Sequence, residues 1–188
     1  AGFIDSIGLD LYLKLLDEAV EAKRLGKEKE ERKPAKLFHI DAYIPKGYAS
    51  KSDKIQLYQE LDEIDSFDQL KAFAAKVKDI YGKMPEEVSL LIKKKRIDLY
   101  EKEEEFESIS EFDERVDILL SASFSRIDGI GSDLFNNIVP FLSIVRVTFL
   151  ERKVRIAVMK KGEDWLSDLL KVVKIIHKTY SNRKQGQS

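Results

Sequence analysis

The sequence predicts an α+β fold: N-terminal helices followed by a β-β-α-β-β-α unit forming a four-stranded, mostly antiparallel sheet with helices packed on it. Apolar residues recur at the helical period up to about residue 100, and then two stretches switch to period two. An amphipathic run from Trp165 to Tyr180 closes the chain and supplies a covering helix.

The first expected helix is 9–25, stopped at Gly26. Leu9, Tyr12, Leu13, Leu16 and Val20 make one stripe, and Leu11, Leu15, Ala19 and Ala22 make a second. Together they cover about 200° of the helix, where a surface helix buries an arc of ~100° or more. A helix apolar on two sides needs two partners, and this one is expected to have left one behind. The chain opens Ala1-Gly2-Phe3 with no initiator Met and reads as an excised piece of a longer protein. Residues 26–36 are mixed charge without a hydrophobic period, which marks a linker and a domain boundary. A short extended segment over 37–44 stops at Pro45-Lys46-Gly47.

Three helices are expected next. Helix 52–63 follows Ser50 and Ser52, and helix 67–81 follows the N-cap pair Asp65-Ser66 and ends at Gly82. Helix 85–100 opens Pro85-Glu86-Glu87, a first turn suited to the positive end of the helix dipole. In 115–124, Val116, Ile118, Leu120, Ala122 and Phe124 alternate with more polar neighbours, giving a half-buried strand with 106–112 as its hairpin partner. A helix from Gly131 to about 142 is interrupted by Pro140. Strands 144–150 and 153–159 and a helix over 163–179 follow. The expected domains are 1–35, a tail of a preceding domain plus linker; 36–180, one domain; and 181–188, a disordered polar tail.

Composition narrows the functions. Of 188 residues, 36% are charged, but 43% are hydrophobic and 10% aromatic, too apolar for a disordered tail. A net charge of −1 neither recruits nor repels nucleic acid in bulk. The absence of Cys removes disulfides, thiol catalysis and thiolate metal sites, and no run is long enough to span a membrane. A soluble, intracellular, non-enzymatic chain is the expectation, with no catalytic, cofactor or metal residues.

Each candidate motif has a bland reading that outweighs the chemical one. His39-x-Asp41 is too small a set for a triad or a metal site, and His177 reads as a surface or helix-end cation. Asp128-Gly129-Ile130-Gly131-Ser132-Asp133 could aim backbone N–H groups at a phosphate, yet two acids flank it. Lys93-Lys94-Lys95-Arg96 points all round a helix and is followed by Glu101, Glu103, Glu104, Glu105 and Glu107. From Glu151 to Ser188 there are 10 Lys/Arg against 4 Asp/Glu, which keeps a nucleic-acid-binding accessory domain as the alternative function. The more suggestive surface is on helix 67–81. There Asp68, Ala72, Ala75 and Asp79 form a low, acidic strip opposite the core stripe, an expected interdomain interface.

Gly2-Phe3-Ile4-Asp5-Ser6-Ile7-Gly8-Leu9-Asp10-Leu11-Tyr12, continuing through Leu15-Leu16-Asp17-Glu18-Ala19-Val20, resembles the segment that closes the motor of the bacterial transcription-repair coupling factors. Ile40-Asp41-Ala42-Tyr43-Ile44-Pro45 resembles the opening of the C-terminal domain of that family. Lys54-Ile55-x-x-Tyr58 and Tyr81-Gly82-x-x-Pro85-x-x-Val88 follow in the family order. The resemblance implies a cytoplasmic parent, an ATP-dependent DNA translocase of the helicase superfamily that displaces stalled RNA polymerase and recruits nucleotide excision repair. Residues 1–35 would then be the tail of its motor. The C-terminal domain would be regulatory and non-catalytic, without a cofactor. It would dock on the excinuclease-B-like module and the motor of its own chain, and mask the surface for excinuclease A. RNA polymerase, excinuclease A and DNA would be indirect partners through the parent, with no membrane contact; the free fragment would be a monomer or weakly self-associating. Where the family often has Glu-Leu-x-Asp-Arg-Phe-Gly, this chain has Lys76-Val77-Lys78-Asp79-Ile80-Tyr81-Gly82, so only Asp79 is carried over from that charged contact.

Overall fold

The computed structural model describes residues 42–150 and 152–186. The expected helix 9–25 and the linker 26–36 lie outside the described residues, as does the His39-x-Asp41 pair. The chain divides into two compact units at Lys95/Arg96, inside one helix.

The described part of the first unit is helical. Helix α1 is Lys51–Glu63, with Ser50 as its N-cap: the Ser50 hydroxyl accepts the Asp53 N–H at 3.2 Å. Helix α2 is Phe67–Tyr81. Its entry is held from both sides, because Ser66 Oγ accepts the Gln69 N–H at 3.2 Å while Gln69 Oε1 accepts the Asp65 N–H at 2.9 Å. This is the logic of a capping box, displaced by one residue. At Gly82 the backbone turns to φ 81°, a conformation that side chains with a Cβ resist, and α2 ends there. Helix α3, Glu86–Glu101, then begins behind Pro85. Leu57, Tyr58 and Leu61 of α1, Leu70, Phe73 and Val77 of α2, and Val88, Leu91 and Ile92 of α3 are buried. Ile44 joins them, and its N–H donates to the buried Tyr58 hydroxyl at 2.7 Å. Every buried polar group needs a partner, and here the partner also anchors the incoming chain to the helices.

The second unit holds a four-stranded sheet of order β1-β2-β4-β3, antiparallel at every pairing. The strands are β1 (Phe106–Glu111), β2 (Arg115–Leu120), β3 (Val145–Leu150) and β4 (Lys153–Met159). Between the hairpins lie a four-residue helix α4 (Ala122–Ser125), helix α5 (Ile130–Ile138) and a 3₁₀ turn, Val139–Phe141. Helix α6, Trp165–Gly186, closes the unit.

Register shows which side chains share a face. Ile109 pairs with Ile118, Ile118 with Ile156, and Val116 with Val158, so these project to one side of the sheet. All are 0–2% exposed. The buried stripes of α5 (Ile130, Leu134, Ile138) and α6 (Leu166, Leu169, Val173, Ile176, Tyr180) supply the cover such a face requires. The opposite face carries Arg115, Asp117 and Arg155, in the expected alternation.

Three element boundaries differ from expectation. The strand expected over 115–124 stops at Leu120, because the Ser121 hydroxyl accepts the Phe124 N–H at 3.3 Å and caps a helical turn. Ala122 and Phe124 keep the alternating pattern while leaving the sheet. The helix expected to reach 142 gives way at Val139 to a 3₁₀ turn around Pro140, whose missing N–H ends the α-type ladder. Residues 181–186, expected within a disordered tail, are the last turns of α6. Arg183 pairs with Asp133, and Lys184 Nζ donates to Glu104 Oε2 at 2.6 Å, so these turns have tertiary partners.

Ile118 is fully buried between Ile109 and Ile156. Ile118→Ala is expected to destabilise the sheet unit by roughly 2–5 kcal/mol, read as a shift of the urea midpoint by far-UV circular dichroism.

Candidate functional site

The sequence-derived candidate surface is intact as a surface. Asp68, Ala72, Ala75 and Asp79 are all exposed on α2, on the side away from the buried Leu70, Phe73 and Val77. The segregation follows from the helical period: 68, 72, 75 and 79 advance by four, three and four residues and stay in one row. Two alanines between the acids keep the row low, so another surface can approach the backbone. Beside it, Ile80 is 61% exposed, a large apolar side chain at the end of an acidic row. Lys76, for which the resemblance leads to the expectation of a carboxylate, forms an ion pair with Glu60 of α1. The helix is thus held on one flank by a charge pair, and the row itself presents Asp68 and Asp79 beside the exposed Lys71 and Lys78 of the other flank.

The other motifs are absorbed by the fold. Lys93, Lys94, Lys95 and Arg96 are each half-buried along α3, and Lys95 Nζ donates to the Asp62 carbonyl at 3.0 Å. The turn at Gly129 does take the left-handed conformation, with φ 77°. Its space is filled from within: the Arg183 guanidinium lies where a Cβ on Gly129 would meet it, at 3.2 Å, and pairs with Asp133. Asp133 is held below the usual carboxylate range by its hydrogen bond to Arg183. A carboxylate and a guanidinium already neutralise each other at this helix start, so the turn is poorly prepared for a phosphate. Several of the C-terminal cations are similarly engaged: Lys153 with Glu107 at 2.6 Å, Lys160 with Glu111 at 2.5 Å and over the Trp165 ring, and Lys184 with Glu104.

A cluster that the sequence did not suggest lies in the second unit. His177 is not at a helix end, since α6 continues for nine more residues; its Nδ1 is hydrogen-bonded to Glu105 Oε1. The Glu105 side chain is 2% exposed and that of His177 is 33% exposed. Glu105 sits in the turn between α3 and β1, fixed by its own carbonyl, which accepts the Ser121 N–H at 2.8 Å. Burial pushes the Glu105 carboxyl up; the hydrogen bond from His177 offsets part of this. The Tyr100 ring lies 5.3 Å from the imidazole, centroid to centroid. No spacing rule reaches a pair 72 residues apart, and only the docking of α6 brings the two together.

The two units together define the class: a module of packed helices followed by a β-β-α-β-β-α sheet unit. Residues 38–128 match the TRCF domain, and the chain carries a domain of that family. It is 30% identical over 181 residues to the transcription-repair-coupling factor of Staphylococcus epidermidis, covering 95% of this chain and 15% of that protein. Against the Staphylococcus aureus transcription-repair-coupling factor it is 31% identical over 182 residues, with the same coverages. The chain thus spans about 15% of the length of the curated relatives it matches. The fold is shared with a crystal structure of the C-terminal domain of transcription-repair coupling factor, at a TM-score of 0.60 and 18% identity over 81% of this chain and 94% of that one.

The Glu105 carboxyl titrates higher in the folded chain than in the unfolded one. A carboxyl shifted this way favours folding at low pH and loses that contribution as pH rises through its folded value. Glu105→Gln keeps the shape and removes the titration. Expected is a stability–pH curve whose decline above the ordinary carboxylate range is shallower in the variant, measured by urea unfolding at fixed ionic strength.

Proposed function

We propose that this chain is the non-catalytic C-terminal regulatory domain of a transcription-repair coupling factor, and that it acts by docking on its own parent chain. The docking partner is the excinuclease-B-like module. While docked, the domain masks the surface that recruits excinuclease A and restrains the motor. RNA polymerase and DNA are reached through the parent, a cytoplasmic ATP-dependent DNA translocase. Among the described residues no helix is long and apolar enough to cross a membrane, which is compatible with that setting.

The observation that carries this reading is the exposed row Asp68, Ala72, Ala75 and Asp79 on α2. It sits on a helix with both ends capped and a fully buried inner stripe, so its outer face has a fixed shape. A flat acidic row complements a basic patch, and its attraction weakens with salt because exposed charges are screened over about 8–10 Å at ordinary ionic strength. Masking is then a two-state equilibrium. To move the parent from almost wholly docked to almost wholly undocked, engaged polymerase or DNA has to favour the open state by roughly 5 kcal/mol. A contact of modest area and high charge suits such an equilibrium better than a large apolar one. The nucleic-acid-binding alternative loses ground because the Gly129 turn and several C-terminal cations are already paired within the fold.

The test uses the full-length parent. DNA-dependent ATP turnover is expected to rise when residues 36–188 are removed. Asp79→Lys is expected to reproduce part of that rise and to weaken binding of the isolated domain to the remainder of the parent by about tenfold, worth ~1.4 kcal/mol. Unchanged turnover together with unchanged affinity would refute the docking role of this face.

A further inference from the structure

We propose that Glu103, Glu105 and His177 form a binding site for one divalent transition-metal ion of the zinc class, which clamps the turn between α3 and β1 to helix α6. The site is independent of the α2 face and of the docking reading.

Geometry comes first. One ligand atom from each of the three side chains lies within 4.8 Å of the other two. Zinc binds imidazole nitrogen and carboxylate oxygen at about 2.0–2.2 Å, which sets neighbouring ligands roughly 3–3.5 Å apart. The remaining difference is left to side-chain rotation, because the backbone of the turn is already held. The Glu103 N–H donates to the Tyr100 carbonyl at 2.9 Å, the Phe106 N–H to the Glu103 carbonyl at 3.1 Å, and the Ser121 N–H to the Glu105 carbonyl at 2.8 Å. His177 is fixed on the other side by the helix whose Ile176 and Tyr180 are in the core.

Electrostatics supplies the second reason. A carboxylate buried as deeply as Glu105 is costly unless charge and hydrogen bonds compensate it. Among the described contacts, the His177 ring is the side chain that compensates the Glu105 carboxyl. A divalent cation held between the three groups offers charge to both carboxylates and uses the imidazole nitrogen as a ligand. Imidazole and carboxylate bind a metal in their deprotonated forms, so affinity rises with pH. One imidazole with two carboxylates suits zinc, cobalt or nickel better than magnesium or calcium, which take all-oxygen sets.

The surrounding charges limit the affinity rather than forbid it. Lys184 is turned to Glu104 at 2.6 Å, and Glu101 accepts the Ile109 N–H at 2.9 Å. Lys102 stands next to Glu103 in the turn, Arg96 of α3 and Lys174 of α6 are further cations on the two helices, and Lys174 is held below its ordinary value by burial and by Arg96. Tyr100 contributes an aromatic wall beside the imidazole. With three protein ligands, water completes the coordination.

The experiment titrates the tag-free 188-residue chain with Co²⁺, read by its visible absorption, and with Zn²⁺, read by calorimetry. Expected is one ion per chain, bound more weakly as pH falls because protons compete for the ligand atoms. Glu103→Gln and His177→Gln are each expected to weaken binding tenfold or more, whereas His39→Gln leaves it unchanged. Glu103 is half-buried in a turn, so its variant folds even where a change at Glu105 does not. No binding, or binding that persists in both Glu103→Gln and His177→Gln, would overturn the site.

Discussion

The apolar face of the central β2–β4 pair is the constraint on which the sheet unit depends. Val116, Ile118, Ile156 and Val158 stand at 0–2% exposure in the middle of a four-stranded sheet and cannot be left to water. Helix α6 is the long element available to cover them, and its buried stripe runs from Leu166 to Tyr180. Once α6 lies there, its remaining positions are assigned. His177 faces the α3–β1 turn, Arg183 reaches the start of α5, and Lys184 reaches Glu104. The polar contacts are therefore consequences of covering the sheet, each modest alone, and they fix the rotation of the helix rather than drive its docking.

The helical unit obeys a different economy. Helix α2 carries its core stripe and its acidic row on opposite sides, so burial of Leu70, Phe73 and Val77 exposes Asp68, Ala72, Ala75 and Asp79 without any further device. Caps at Ser66 and Gly82 limit fraying at both ends, which keeps that outer row straight and in register. A surface that is rigid beforehand loses less ordering entropy when anything binds it. On the flank of that row, Lys76 pairs with Glu60 and ties α2 to α1.

The Glu105–His177 pair stands apart from both patterns. A carboxylate in a core is retained only where its neighbours compensate it, and here the compensation is a titratable ring on another element. Whatever occupies that space, a proton or a cation, joins the turn after α3 to the helix that covers the sheet. Electrostatic state and packing are coupled at one point in this unit.

Much of the architecture was determined by the sequence alone. Helical period fixed α1, α2 and α3, local caps set their ends, and period two marked both hairpins, because those signals act over a few residues. The acidic row on α2 was legible for the same reason: a single helix period decides what is inside and what is outside. The sequence could not decide whether Ala122 and Phe124 continue a strand, since alternation is shared by a strand end and a capped helical turn, and the Ser121 hydroxyl settled it. Nor could it foresee that 181–186 are helical, because Arg183 and Lys184 look like solvated tail until Asp133 and Glu104 stand opposite them. The filling of the Gly129 turn by Arg183 and the meeting of Glu105 with His177 belong only to the tertiary structure. Both join residues more than 50 positions apart in the chain, where no local propensity acts and only the packing of α6 on the sheet brings them within reach.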